Sequence, residues 1–385
     1  MSDQITLKAL KWVQNGYTLC RNDSGETGFL HGALPGETVR AEISKSTSSH
    51  FFARTLEVLE VSPSRIPSDC ATFPRCGGCS FRHMSYEDEL KVKIDLIREL
   101  HPLDECLEKV RARGGEHFTV HSSTPNGYRN HAQLQCEKQK KGFFSPHSND
   151  IVDLPPEGCR QLSDNLNEAA GKFSPHGKPK ARFRETYEGI FGPEELKKLR
   201  VIREKITVND SEFIWEMPSG GFFQNNRFLL GEWLAVLENS VPTGKPATIE
   251  LFCGSGVIGG HLREKIGAYS GYELDRESLK CAKINFHAFG IQGKFFHSDL
   301  YKNPPELKTD LIICNPPRAG LKNALLGGFQ KTKARSVLYS SCSTHTLSRD
   351  LAFILKAGFE PVRAAIFDFF PRTPHLEVVL RLDRS

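Results

Sequence analysis

The sequence predicts an α/β protein of several domains: a small β-barrel over residues 1–61, a mixed α+β region over 62–216 and a doubly wound, mainly parallel sheet over 217–385. Three observations carry this. A chain of 385 residues with 38% apolar content is too long for one ordinary core. Up to about residue 61, short apolar runs alternate with turn signals such as "NDSGETGFL" and "ALPGETVRAEI", the spacing of barrel strands. From "GGFFQNN" onward, the apolar runs "ATIELF", "DLIIC" and "SVLYSSC" alternate with helical patterns, which is the mark of βαβ units on a parallel sheet.

Between the two, "SPSRIPSDC" punctuates the chain, and "SYEDELKVKIDLIREL" has the apolar spacing of a helix with one buried face. No stretch approaches the length of a membrane span, and "MSDQITLKAL" lacks a charged segment leading into an apolar one. The expectation is a cytoplasmic chain with no membrane contact, monomeric and without an obligate protein partner. Eleven cysteines, irregularly placed, do not form a disulfide framework. The net charge of +5 admits a nucleic-acid partner without requiring one.

In "IELFCGSGVIGG", Gly254, Gly256 and Gly259 follow a strand at the spacing that lets a ligand approach a helix N-terminus closely. Two ligands compete at this point. A dinucleotide would place its pyrophosphate on the helix end, whereas S-adenosylmethionine carries cationic groups, which Glu250 just before the glycines favours. Glu273, ending the next strand in "YSGYELD", suits the ribose hydroxyls of either; Asp299 in "SDL" suits an adenine amino group, and "CNPPRAG", with Asn315, follows the fourth strand at the same edge. The alternative is a turn whose glycines serve packing only.

Cys342 in "VLYSSCSTHTLSRD" follows a β-rich run and so belongs at that same edge, where a cysteine is commonly a small buried hydrophobe. Glu377 in "FDFFPRTPHLEVVLRL" enters an apolar strand, where an edge-strand salt bridge is the plain alternative. One chemistry joins the two. A pyrimidine C5 attacks a methyl sulfonium only after a thiolate has added at C6, a role for Cys342. The C5 hydrogen must then be removed by a base before the thiol is eliminated, a role for Glu377.

Taken together, these residues resemble the RNA uracil-C5 methyltransferase family, and in particular members with an N-terminal TRAM barrel and an iron-sulfur cluster. The resemblance spans nearly the whole chain and is carried by "ALPGETV", "CGGC", "GYRNHAQL", "GFFQNN", "LFCGSG", "NPPRAG", "YSSCSTHTLSRD" and "FPRTPHLE". It implies an OB-like TRAM barrel that binds RNA, a central α+β domain with an iron-sulfur cluster and a C-terminal Rossmann-like class I methyltransferase domain. It also implies S-adenosylmethionine as cofactor, Cys342 as nucleophile and Glu377 as base. Gln224 resembles the residue that touches the methionine part of the cofactor, and the "LFCGSG" turn, with Phe252, Gly254 and Gly256, and Glu273 match its remaining binding positions, beside Asp299 as read from its strand end. The family's "DPPRxG" aspartate is replaced by Asn315, assigned both to the uracil edge and to the cofactor side. An asparagine amide accepts from uracil N3–H and donates to O4, so uracil recognition survives the change. "SCST" in place of "SCNP" leaves the thiol intact.

Cys70, Cys76 and Cys79 lie within "CATFPRCGGC" and need a fourth ligand. From spacing alone, zinc and an iron-sulfur cluster are equal rivals, and Cys106, Cys136 and Cys159 are the downstream candidates. The resemblance selects a [4Fe-4S] cluster and, through "NDIVDLPPEGC", Cys159.

The expected partner is RNA, with large-subunit 23S rRNA favoured over tRNA. Residues 1–60 hold six Lys and Arg against seven Asp and Glu, so phosphate contact is expected instead from "HGKPKARFR" and from Arg318 and Arg372, with Phe29, Phe51 and Phe52 as possible base-stacking groups. Two other classes compete: a nicotinamide-dependent iron-sulfur oxidoreductase, and a non-catalytic RNA-binding relative suggested by Asn315.

Overall fold

The computed structural model describes residues 4–384. The N-terminal part is one sheet of β1 (Gln4–Lys8), β2 (Trp12–Val13), β3 (Tyr17–Arg21), β4 (Thr27–His31), β5 (Thr38–Ser46) and β6 (Phe51–Glu60), in the order β1-β5-β6-β4-β3-β2. It curls into a barrel-like unit, because Leu10 and Lys11, just past β1, exchange backbone bonds of 2.8 Å with Leu19 of β3. Period-two alternation puts Leu7, Cys20, Leu30, Val39, Ala41, Phe51 and Ala53 in its core. Phe51 is therefore core rather than a stacking group, while Phe29 and Phe52 remain half-buried.

The chain then enters α1 (Tyr86–Ile97), α2 (Leu103–Arg111) and β7 (Phe118–His121). Helix α1 begins where Ser85 Oγ accepts the Asp88 amide at 3.0 Å, as a capping serine does. A five-stranded sheet follows, built from β8 (His131–Glu137), β9 (Lys140–Phe144), β10 (Ile151–Asp153), β11 (Lys180–Thr186) and β12 (Gly189–Phe191) in the order β10-β9-β8-β11-β12, with α3 (Asp164–Lys172) packed on it and α4 (Pro193–Lys198) after it. The hairpin of β13 (Val201–Val208) and β14 (Ser211–Pro218) leads into α5 (Leu230–Asn239).

The remaining chain is β15 (Thr248–Leu251), α6 (Val257–His261), β16 (Tyr269–Glu273), α7 (Arg276–Ala288), β17 (Lys294–His297), β18 (Leu311–Cys314), α8 (Lys322–Phe329), β19 (Ser336–Ser341), α9 (Thr344–Lys356), β20 (Phe359–Phe367) and β21 (Glu377–Arg384). Its sheet runs β17-β16-β15-β18-β19-β21-β20-β7, parallel except for β21, which is antiparallel to both neighbours. The two faces carry two cores. One holds Val337, Tyr339, Val378 and Leu380, and the other holds Leu338, Val379, Trp233 and Trp215.

Parts of the expected central region, 62–216, pack on the sheet of the expected C-terminal one. β7 is the edge strand of the C-terminal sheet, paired in parallel with β20. Ile97, Leu103, Leu107 and Val110 bury themselves in the first of its cores, and Ile202, Ile206 and Trp215 of the hairpin in the second. The physical reason is that β20 and the α5 side of the sheet would otherwise expose apolar surface, which the preceding chain covers.

A buried ionic cluster ties α1 to the turn before β21. Lys93 Nζ lies 2.8 Å from Glu89 and 2.9 Å from Asp368, with all three side chains fully buried. Tyr86 donates to Asp368 at 2.9 Å. Arg372, at φ 67°, gives its amide and guanidinium to Glu89 and bonds the carbonyls of Phe81 and Met84. Two cations thus balance two carboxylates, so removing either cation strands a buried charge. Lys93→Met is expected to lower unfolding free energy by about 3–5 kcal/mol, read from denaturant titration; a loss below about 1 kcal/mol would mean that water screens the cluster.

Candidate active site

The polar residues at the carboxyl edge of the C-terminal sheet converge because each follows a different strand. Gly254 and Gly256 follow β15, Glu273 ends β16, Asp299 follows β17, Asn315 follows β18 and Cys342 follows β19. Glu377 reaches the same edge from the opposite direction, since an antiparallel strand begins where its parallel neighbours end. In the β19–β21 ladder Ser340 stands opposite Val379 and Ser341 opposite Val378. One step further along the same register, Cys342 comes opposite Glu377, and the carboxyl is close enough to act on the thiol electrostatically.

Gly254, Glu273, Asp299, Asn315, Cys342 and Glu377 line one cleft of ≈ 1210 Å³, together with Gln224, Phe252, Arg318 and Phe370. Of the catalytic and cofactor positions expected from the sequence, Cys342, Glu377, Asn315, Gln224, Phe252, Gly254, Glu273 and Asp299 line it, while Gly256 caps α6 in the same turn without lining the cleft.

The glycine turn is held from below. Gly254 at φ 53° and Gly256 at φ 75° adopt the left-handed conformation that side chains disfavour. The Gly254 amide donates to Glu273 Oε2 at 3.1 Å, and the other oxygen of Glu273 takes the amides of Leu274 and Asp275. Glu273 is therefore anchored by backbone while its carboxylate borders the cleft. Asn285 of α7 bonds the carbonyls of Ser255 and Glu216, which joins the turn to β14.

Glu250 does something different from what its sequence position suggests. It is 1% exposed and its Oε2 accepts from Tyr269 Oη at 2.7 Å and from the Gly259 amide at 2.9 Å. Burial pushes its carboxyl up to about 7. A Cβ on Gly259 would lie 2.2 Å from the Tyr269 ring and 2.7 Å from Glu250. Glu250 thus braces the turn rather than offering a free charge to a cationic ligand.

Glu377 is 1% exposed. Burial pushes its carboxyl up to about 7, opposed by a hydrogen bond of 2.5 Å from Ser340 Oγ to Oε1. Burial, and after it the nearby Glu377, push the Cys342 thiol up to about 11 against the pull of the Arg318 guanidinium. A thiol and a carboxyl this close disfavour ionising together. Arg318 is thus the cation placed to favour the thiolate.

Two other expectations shift. Arg372 is buried in the ionic cluster and unavailable to phosphate. In the basic stretch, Lys178 pairs with Glu194 and Arg184 is buried, while Arg182 and Arg184 bond the carbonyls of Gly220 and Gly221 at 3.0 and 3.1 Å. Arg184 is thus committed to the turn leading to Gln224, while Lys180 and Arg182 stay exposed.

A second cavity is lined by Cys70, Cys76, Cys79 and Cys159 with Arg82, Arg129 and Gln161. None of the four is in a disulfide. Cys76 Sγ accepts the Gly78 amide at 3.4 Å, and Cys79 Sγ accepts Arg82 Nε at 3.2 Å and Gln161 Nε2 at 3.1 Å. Among the described residues no three His, Cys, Asp or Glu side chains stand close enough to hold a single metal ion. Cys106 and Cys136 lie elsewhere, buried in hydrophobic cores. The cavity touches the catalytic edge, since Gln161 also bonds the Pro371 carbonyl at 3.2 Å and the Ser80 amide bonds the Arg372 carbonyl at 2.7 Å.

Sequence reasoning missed Trp233, Ser340 and Gln161. Trp233 Nε1 donates to Ser340 Oγ at 3.0 Å within the catalytic face. No motif marks these residues. Only the position of Ser340, two before Cys342 on a strand and so on the same face, offered a signal.

Comparisons with known proteins agree with this geometry. Residues 231–338, spanning the glycine turn, match the family described as methyltransferase small domain, and residues 305–385, which include Asn315, Cys342 and Glu377, match the family described as tRNA (uracil-5-)-methyltransferase. An uncharacterized RNA methyltransferase of Leptospira interrogans is 36% identical, covering 99% of this chain and 95% of that protein. A 23S rRNA (uracil(1939)-C(5))-methyltransferase of Marinomonas sp. is 26% identical over 94% of this chain and 91% of its own length. The crystal structure of Pyrococcus abyssi tRNA (uracil-54, C5)-methyltransferase in complex with S-adenosyl-L-homocysteine shares the fold, with a TM-score of 0.74 at 19% identity over 98% of this chain and 99% of that one. With a near full-length relative, two family matches across the catalytic sheet and a thiol facing a carboxyl at its edge, the chain belongs to the RNA uracil-C5 methyltransferase family of enzymes.

Proposed function

We propose that this enzyme methylates C5 of a uridine in large-subunit rRNA, with S-adenosylmethionine as methyl donor, through a covalent adduct on Cys342. The observation that carries the chemistry is the placement of Cys342 and Glu377 across from each other on one face of the cleft. The choice of rRNA leans on the Marinomonas relative, which is more similar to this chain than the Pyrococcus tRNA enzyme is.

The residues at the glycine turn fit an adenosyl ligand: Glu273 for the ribose, Asp299 for adenine, Gln224 and Phe252 for the remainder. S-adenosylmethionine, when bound there, supplies an electrophilic methyl group to C5. The protein's part begins with the Cys342 thiolate, favoured by Arg318, which forms a bond to C6 and breaks the C5=C6 double bond. Negative charge passes to O4, where the Asn315 amide donates a hydrogen bond. After C5 has been methylated, Glu377 takes its hydrogen as a proton. The C–H electron pair restores C5=C6, the C6–S bond breaks and the thiolate leaves. Because C5 and C6 are stacked within an RNA helix, the uridine must be extruded or lie in a loop.

We further assign the second cavity to a [4Fe-4S] cluster held by Cys70, Cys76, Cys79 and Cys159. The support is a set of four soft sulfur donors in one cavity, bordered by N–H groups aimed at two of the sulfurs. Uracil methylation needs no electron transfer, so the role is to hold the central loops against the turn before β21. The barrel, read as a TRAM module, would add RNA contact next to the cysteine region, where His31 meets the Cys79 carbonyl.

Incubating anaerobically purified protein with methyl-labelled S-adenosylmethionine and unmodified rRNA or tRNA is expected to place the label in 5-methyluridine of the rRNA. Label in tRNA alone would reassign the substrate, and bound cofactor without label in either would return the protein to RNA binding without turnover. Glu377→Gln is expected to transfer the methyl group but to accumulate a protein–RNA adduct stable to denaturing electrophoresis; free methylated RNA at the wild-type rate rules out this base.

With the Glu377 carboxyl pushed up to about 7, the base is protonated and idle below that pH. Adduct breakdown should therefore fall about tenfold per unit below pH 7 and level off above it. Stability runs the opposite way: the raised carboxyl contributes stability that is fully present below its ordinary value and lost as pH rises through about 7. Cys159→Ser is expected to lose iron and acid-labile sulfide with little change in cofactor affinity, whereas stoichiometric zinc in the wild type would assign the cavity to that ion.

A further inference from the structure

The general base is hydrogen-bonded on one side only. Among the described residues, Oε1 of Glu377 accepts from Ser340 Oγ at 2.5 Å, and that hydroxyl in turn accepts from Trp233 Nε1 at 3.0 Å. All three side chains are buried: Glu377 and Ser340 at 1% exposure and Trp233 at 2%. The polarity of this chain is set by chemistry. An indole nitrogen can only donate, so the single hydroxyl proton of Ser340 has to point at the carboxyl group.

We propose that Trp233 and Ser340 form a relay of fixed polarity that pins Oε1 of Glu377 and leaves Oε2 as the oxygen that takes the C5 proton. Both are positioning residues, acting through Glu377; Ser340 does not line the cleft, and Trp233 borders it with 2% of its surface exposed. The assignment rests on the reading of Glu377 as the base.

The geometry allows little else. Ser340 faces Val379 in the ladder, and Glu377 lies two residues before Val379 on the same face, the diagonal neighbour of the serine. Ser340 and Cys342 share that face, so one strand carries both the nucleophile and the group that orients the base. Trp233 approaches from α5 in the core that contains Leu338 and Val379, and its ring packs edge-on against Phe369 at 6.3 Å between centroids, so the indole is not free to swing away. The Ser340 bond draws electron density from Oε1 and occupies one of its lone pairs, whereas Oε2 keeps both and is the more basic oxygen. The bond from Ser340 favours the ionised carboxylate against the burial that disfavours it, so the relay also sets the pH at which the base works.

The test compares Ser340→Ala, Trp233→Phe and Glu377→Gln in the full-length enzyme. The methyl-transfer step and adduct breakdown are followed separately, by label incorporation and denaturing electrophoresis, across pH. Ser340→Ala is expected to slow adduct breakdown at pH 7 by about tenfold or more, since a hydrogen bond to a charged group is lost, and to move the acid limb of that step to higher pH. Methyl transfer should slow less than breakdown. Trp233→Phe keeps the bulk of the ring and should move the same limb in the same direction by a smaller amount; it decides the matter if Ser340→Ala does not fold. A folded variant with an unmoved pH profile and no adduct, alongside an adduct in Glu377→Gln, overturns the relay alone. Absence of an adduct in Glu377→Gln overturns the base assignment itself.

Discussion

The active site depends on one departure from parallel pairing, the insertion of β21 between β19 and β20 in the opposite direction. In an open parallel sheet, only strand ends and the loops after them reach the ligand edge. A reversed strand instead delivers its first residue there, on a rigid ladder rather than a loop. That is how Glu377 faces Cys342 as a continuation of the Ser340–Val379 and Ser341–Val378 pairs. Geometry fixed by backbone hydrogen bonds is what proton abstraction from a transient adduct requires.

The reversed strand needs its entry turn held in place, and the molecule commits a buried ionic cluster to this. Lys93, Glu89, Asp368 and Arg372 neutralise one another between α1 and residues 368–372. The same turn receives bonds from Ser80, Tyr128 and Gln161 around the cysteine cavity. The cysteine region, α1 and the catalytic strand are therefore mechanically one assembly, although they are distant in sequence. This gives the thiol cluster a structural reason to exist in an enzyme whose reaction transfers no electrons.

Electrostatics at the thiol and the carboxyl follow from their burial. A buried thiol and a buried carboxyl each resist ionisation, and each resists it more when the other is charged. In the proposed reaction they act in turn, thiolate first and carboxylate afterwards, so the mutual penalty would fall on a state that the cycle does not need. Arg318 favours the first ionisation and Ser340 the second. Glu250, by contrast, commits its carboxyl to Tyr269 and the glycine turn.

What is legible in the sequence is whatever follows from periodicity and local chemistry. The alternation of apolar runs specifies barrel strands and βαβ units, Ser85 marks the start of α1, and the glycines announce a turn at left-handed φ. The strand-end rule, applied to the order of the motifs alone, places Gly254, Glu273, Asp299, Asn315 and Cys342 at one edge. Four decisions belong to tertiary structure alone. Residues 86–121 leave their expected domain because β20 needs an edge partner, and Arg372 turns inward because Glu89 is buried beneath it. Phe51 sinks into the barrel core that Phe29 and Phe52 only border. The Trp233–Ser340–Glu377 contact joins three segments through pairing across strands and packing of a helix on the sheet. Local pattern reports which face a residue takes; which distant residue meets it there is set by strand order and direction, and no single stretch of sequence contains these.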